Sequence, residues 1–130
     1  MAEEILNEMI THLEFLGYDV VQEEGSIWAT HPKYINLVFS DFGFGILFKA
    51  FFAFTEQAKD NRAEVLEMVN QFNFQASLCK AYVDDDFDLA LEACFPRVYD
   101  KTAFGVFMDS LNTDVRLIFE EEINLHTYLK

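Results

Sequence analysis

Cys79-Lys80-Ala81-Tyr82-Val83-Asp84-Asp85-Asp86-Phe87-Asp88-Leu89-Ala90-Leu91-Glu92-Ala93-Cys94-Phe95 is the stretch on which the fold turns. Two alternating runs flank an acidic break, the pattern of a β-hairpin whose strands cover 76–84 and 88–95. Pro96 then ends the return strand, because proline has no N–H to give a ladder. A three-residue loop pairs Asp84 with Asp88 and sets Lys80 opposite Glu92, an opposite-charge cross-strand pair. In that register Cys79, Ala81, Val83, Leu89, Leu91, Ala93 and Phe95 share the core face. Leu78, Lys80, Tyr82, Ala90, Glu92 and Cys94 share a semi-apolar outer face. The two thiols point to opposite sides, so no Cys79–Cys94 disulfide is expected.

Upstream, Ile5, Leu6, Met9, Leu13 and Leu16 recur at spacings of three and four, which predicts a first helix with one apolar face. Glu3 and Glu4 suit its first turn, and Gly17 its C-terminal stop. Strands are predicted over 18–22, 27–30 and 34–39, with a turn at Glu23-Glu24-Gly25-Ser26 and a stop at His31-Pro32. Residues 46–54 are apolar on both faces, the mark of a central strand covered on both sides by the fold or by a partner. Residues 55–60 read as a polar connection, and Asp60 as the cap of a helix over 61–73 with Val65, Met68, Val69 and Phe72 inward. Asp100 caps a last helix carrying Phe104, Phe107, Met108, Leu111, Val115, Phe119 and Ile123. Unbroken, it would extend on the order of 40 Å, so it is expected to break or to dock on another subunit. The order α-β-β-β(-β)-α-β-β-α predicts an α+β fold in one domain over 1–130: a single antiparallel sheet with helices mainly on one face.

Composition narrows the function classes. Nine Lys and Arg against 23 Asp and Glu give a net charge of −14, which argues against binding nucleic acid or an anionic membrane surface. A hydrophobic fraction of 52% argues against disorder. No apolar run approaches the roughly 20 residues of a membrane span, and the N-terminus lacks a signal-peptide pattern, so a cytoplasmic protein with reduced thiols is expected. Fifteen Phe exceed what one modest core takes, which points some rings toward a partner interface.

Few residues suggest chemistry. The carboxylates of Asp84, Asp85, Asp86 and Asp88 could hold Mg²⁺ or Ca²⁺, but the run lacks the glycine and terminal glutamate of a calcium loop and suits a solvated turn. His12, His31 and His126 have no metal-ligand spacing. There is no nucleophile elbow and no phosphate-binding glycine loop. No catalytic residue, metal or cofactor is therefore expected. The acidic runs, Glu120-Glu121-Glu122 among them, serve solubility and could attract a basic partner. Phe48, Phe51, Phe52 and Phe54 are the candidate partner-binding residues on the central strand, joined by Leu78 and Tyr82 on the hairpin's outer face.

The segment Val65-Leu66-Glu67-Met68-Val69-Asn70-Gln71-Phe72-Asn73, followed by Cys79-Lys80-Ala81-Tyr82-Val83-Asp84 and Asp88-Leu89-Ala90-Leu91-Glu92-Ala93, resembles the YbjN-like family of small bacterial proteins. The helix ending Leu16-Gly17-Tyr18-Asp19 and the long last helix are similar in order. Phe87 departs from the family's pattern, whose turn often has glycine. The resemblance implies a fold like that of type III secretion chaperones, which are small, acidic, dimeric and bind extended segments of secreted proteins through apolar grooves. It implies no catalytic residues. The expected function is a non-enzymatic protein-binding module, chaperone-like or regulatory, acting as a homodimer. The alternatives are a small-ligand-binding domain with a Phe-lined pocket, or a metal-dependent hydrolase using the Asp84–Asp88 turn.

Overall fold

A computed structural model describes residues 2–130. Its elements are α1 (Ala2–Phe15), β1 (Asp19–Glu23), β2 (Ser26–Thr30), β3 (Leu37–Asp41), β4 (Ile46–Ala53), α2 (Glu56–Lys59), α3 (Arg62–Gln75), β5 (Lys80–Val83), β6 (Asp88–Phe95) and α4 (Lys101–Arg116), with 3-10 turns at Leu117–Phe119 and Leu125–Tyr128. The six strands form one antiparallel sheet in the order β1-β2-β3-β4-β6-β5, the α+β architecture expected. The chain gathers into two compact units. One runs to Ala50 and includes Ala93–Asp109; the other comprises Phe51–Glu92 and Ser110–Lys130. Strands β4 and β6 and helix α4 therefore each run through both.

In the first unit, α1 buries Met9 and Leu13 and ends at Phe15, one residue before the last of its apolar series. Gly17, at φ +99°, takes the chain out of the helix, and Leu16 is left exposed instead of inward. The β1–β2 turn is tighter than expected. Glu23 pairs with Ser26, so only Glu24 and Gly25 lie between the strands. Both have positive φ, the primed two-residue turn whose twist matches that of the strands. Strand β3 begins at Leu37, three residues after the expected start. Beyond Pro32, Tyr34 packs its ring on His31 (4.7 Å between centroids) and toward Tyr18, which holds 31–36 off the ladder.

The buried sheet face of this unit carries Ile27, Ala29, Leu37, Phe39, Ile46, Phe48 and Ala50. Phe39 stacks on Phe48 at 4.6 Å, Phe48 meets Phe107 at 5.0 Å, and Phe95 meets both Phe104 and Phe107. This aromatic cluster takes five of the fifteen phenylalanines. Each fully buried ring contributes about 1.5–3 kcal/mol by leaving water.

The second unit contains the hairpin in the predicted register. Lys80 pairs with Glu92, its ammonium 3.4 Å from the carboxylate, and Asp84 N–H donates to the Asp88 carbonyl at 3.0 Å. Phe87 occupies the turn at φ +57° and turns its ring inward, 5.2 Å from Phe54 and under the Arg62 guanidinium. The supposed polar connection before α3 contains the short helix α2, because Thr55 accepts the Ala58 N–H and starts it. Asn61, not Asp60, sits at the α3 N-cap, and the helix extends to Gln75. Val65, Val69 and Phe72 are buried as expected. Back in the first unit, Asp100 caps α4 by accepting the Ala103 N–H at 2.8 Å. The helix stops at Arg116, and Ile118, Ile123, Leu125 and Tyr128 are buried beyond it. The long apolar period thus breaks instead of running on as one rod.

Candidate functional site

The outer face of the first unit's strands presents an apolar row. Val21 pairs with Trp28, Trp28 with Val38, and Val38 with Lys49. Their sequence neighbours Ile27, Ala29, Leu37 and Phe39 are all buried, so alternation turns the row to the opposite side. Val21 is 53% exposed and Trp28 45%. Val38 and Lys49 are half-buried, and Leu47 lies on the same side of β4. An indole held between two β-branched neighbours is the kind of rigid, large apolar anchor on which protein interfaces depend. Acidic residues Asp19, Glu23 and Glu24 stand along the edge strand and its turn.

The residues expected at a partner surface divide by strand alternation. Phe48 and Phe54 are buried, 0% and 3% exposed, and belong to the interior of their own units. Placing them on a partner-facing surface is corrected: Phe48 lies inside the aromatic cluster, and Phe54 packs against Phe87. Phe51, on the opposite side of β4, is 49% exposed, and Phe52, on the side of Phe48 and Phe54, is half-buried. Strand β4 is therefore covered on one face only, not on both. In the second unit, Leu78 is half-buried, and Tyr82 donates its hydroxyl to Glu92 on the adjacent strand. That bond, ahead of burial, pushes the Tyr82 phenol up to about 12. Trp28, Val21 and Val38 were not singled out from sequence. The signal existed in the two strands around Gly25, whose tight register alone would have aligned Val21 with Trp28.

The acidic turn is a self-contained hydrogen-bonded loop. Asp84 Oδ1 accepts the N–H groups of Asp86 and Asp88 at 3.0 and 2.9 Å. Asp84, Asp86 and Asp88 form the one three-membered cluster of potential metal ligands among the described residues, and no histidine joins it. His31 accepts the Lys33 N–H on Nδ1, so Nε2 carries the proton that goes to the Leu16 carbonyl. His126 Nδ1 faces the Ile118 carbonyl. Both rings bond to the backbone, and neither belongs to the Asp84–Asp86–Asp88 cluster. Cys79 is buried and Cys94 exposed, both as free thiols, as the hairpin register requires.

The first unit also contains an open cavity of about 570 Å³ along α1. It is walled by Phe15 and Leu16 and by Tyr99 and Lys101 from the chain leading into α4. One phenylalanine lines it, so it is not the Phe-lined pocket that a ligand-binding reading anticipated.

Solved structures share this architecture. YbjN from E. coli, a proposed transcription regulator, superposes with a TM-score of 0.72 at 17% identity over 96% of this chain and 95% of its own. The fold is YbjN-like. A chain of the heterodimeric ExoU-SpcU complex from the type III secretion system of Pseudomonas aeruginosa matches with a TM-score of 0.59 at 22% identity, over 83% of this chain and 93% of its own. An uncharacterized protein from Methanothermobacter thermautotrophicus matches at 0.64 and 9% identity, over 97% and 99%. No family model and no curated protein matches the sequence. The YbjN-like fold is thus carried by three-dimensional similarity at low sequence identity. No described helix is long and apolar enough to cross a membrane.

Proposed function

We propose that this protein is a non-enzymatic protein-binding module, chaperone-like or regulatory, that acts as a homodimer. The observation that carries the reading is the Val21–Trp28–Val38 row, an apolar strip left open on the sheet while its alternate residues fill the core. Similarity in fold to YbjN and to a chain of a type III secretion heterodimer supports it. The strip suits a second copy or a client that lays apolar side chains across it, and the charge of −14 steers basic segments toward the chain. Phe51, Phe52, Leu78 and Tyr82 remain partner-binding candidates in the second unit.

Trp28 is the single tryptophan, so its indole reports directly on this face. Acrylamide quenching of its fluorescence, measured as protein concentration rises through the micromolar range, should weaken as the second copy covers the ring. Quenching that stays constant and efficient at every concentration would remove the dimer from this face.

A further inference from the structure

The cavity along α1 has a chemistry that the protein-binding reading does not use. Its walls include three aromatic rings, those of His12, Phe15 and Tyr99, together with Leu16. Its volume of about 570 Å³ falls within the range of small-molecule sites, roughly 300–1,000 Å³. His12 Nδ1 and the Tyr99 hydroxyl are bonded at 2.8 Å, and the two rings meet edge to face. That pair fixes a polar corner in a wall that also carries Asn7 and Thr11 beside the apolar Phe15 and Leu16. Partial burial first, then the nearby Lys101 ammonium, holds the imidazole below its usual range, so the corner is neutral imidazole beside a cation. Among the described residues no carboxylate lies within ion-pair distance of Lys101, in a chain with 23 acids. Glu8, one turn before His12 on α1, also lines the cavity and disfavours an anion placed beside it.

The geometry points to a binding site for a small aromatic monocarboxylate, its anion on Lys101 and the Tyr99 hydroxyl, whose oxygen accepts the His12 Nδ1–H, and its ring against Phe15 and Leu16. An anion there gains a charge-assisted bond to an ammonium that pairs with no described carboxylate. A flat apolar body gains ring contacts that prefer offset or edge-on geometry, which the crossed His12 and Tyr99 rings already present. This inference stands apart from the dimer and client reading and survives its failure.

The test is titration with 2-naphthylacetate, followed by calorimetry and by NMR of the His12 ring. Two matched probes, 2-naphthylacetamide and 2-(2-naphthyl)ethylamine, keep the aromatic body and change the charge. The acid is expected to bind with displacement of the His12 ring signals, and both analogues at least tenfold more weakly. Lys101→Ala, at an exposed position, should weaken the acid at least tenfold, and Glu8→Gln should leave it equal or tighter. Equal binding of all three probes would overturn the proposal, as would an unaffected Lys101→Ala, a weakened Glu8→Gln, or no displacement at His12.

Discussion

Asp114 Oδ2 accepts the backbone N–H of Leu78 at 2.7 Å, across 36 residues of sequence. The same oxygen accepts the Cys79 N–H at 2.8 Å, and Oδ1 accepts that of Ser77 at 3.0 Å. One buried carboxylate, 2% exposed, thus satisfies three backbone donors where the chain leaves α3 for the hairpin. Asp114→Ala strands those donors, each worth about 1–3 kcal/mol when left unpaired, so a loss of about 3 kcal/mol or more is expected in urea unfolding. Asp114→Asn keeps one acceptor oxygen and should lose less. Equal stability of the alanine variant and the parent would contradict the role.

Phe87 sets two effects against each other. Its φ of +57° costs roughly 1–2 kcal/mol for a residue with a Cβ. Its ring is buried against Phe54 and beneath Arg62, and deleting such a ring costs about 3–5 kcal/mol. The ring wins, so Phe87→Gly should destabilise by about 2 kcal/mol despite relieving the backbone. A stabilised glycine variant would show that the turn geometry dominates.

Thiol chemistry should separate the two cysteines. Burial, and then Asp114, pushes the Cys79 thiol up to about 12, whereas Cys94 is exposed. Ellman's reagent at pH 8 should titrate one thiol in the native protein and two after unfolding, and Cys94→Ser should leave none reactive in the native state. Because the folded fold raises the Cys79 value, its neutral form is favoured by folding. That contribution is fully present below about 9 and is lost as pH rises toward about 12. Tyr82, also raised to about 12 by its bond to Glu92, acts in the same direction. Denaturation midpoints should therefore fall steadily across that alkaline window. A midpoint that is flat to pH 12 would contradict the burial of Cys79.

The hairpin was legible in the sequence because its register is over-determined. Alternation fixes the faces, Lys80 and Glu92 fix the pairing, and the acidic loop fixes the turn. The doubly apolar β4 was not, since Ile46, Phe48 and Ala50 on one side look no more hydrophobic than Leu47 and Phe51 on the other. Only the packing of Phe104 and Phe107 on Phe48 decides which side is core. Asp114 reads locally as one more helix acid, because its three partners lie in a distant segment. Likewise, the register around Gly25 aligns Val21 with Trp28, but which side of that pair stays uncovered depends on packing from distant segments.

Strands β4 and β6 and helix α4 each contribute to both compact units. Unfolding one unit would cut these elements midway and expose their ladders, so the chain should melt as a single domain. Calorimetry is expected to give one transition whose calorimetric and van't Hoff enthalpies agree. Two resolved transitions would separate the units.

The most direct test of the central claim is sedimentation velocity of the parent and of Trp28→Glu at micromolar concentration. A charge at Trp28 disables the open strip without touching the core, as unchanged circular dichroism should verify. The parent is expected to sediment at twice the chain mass and the variant at the chain mass. A parent that is monomeric at every concentration, or a variant that dimerises as well as the parent, would contradict the assignment of this face.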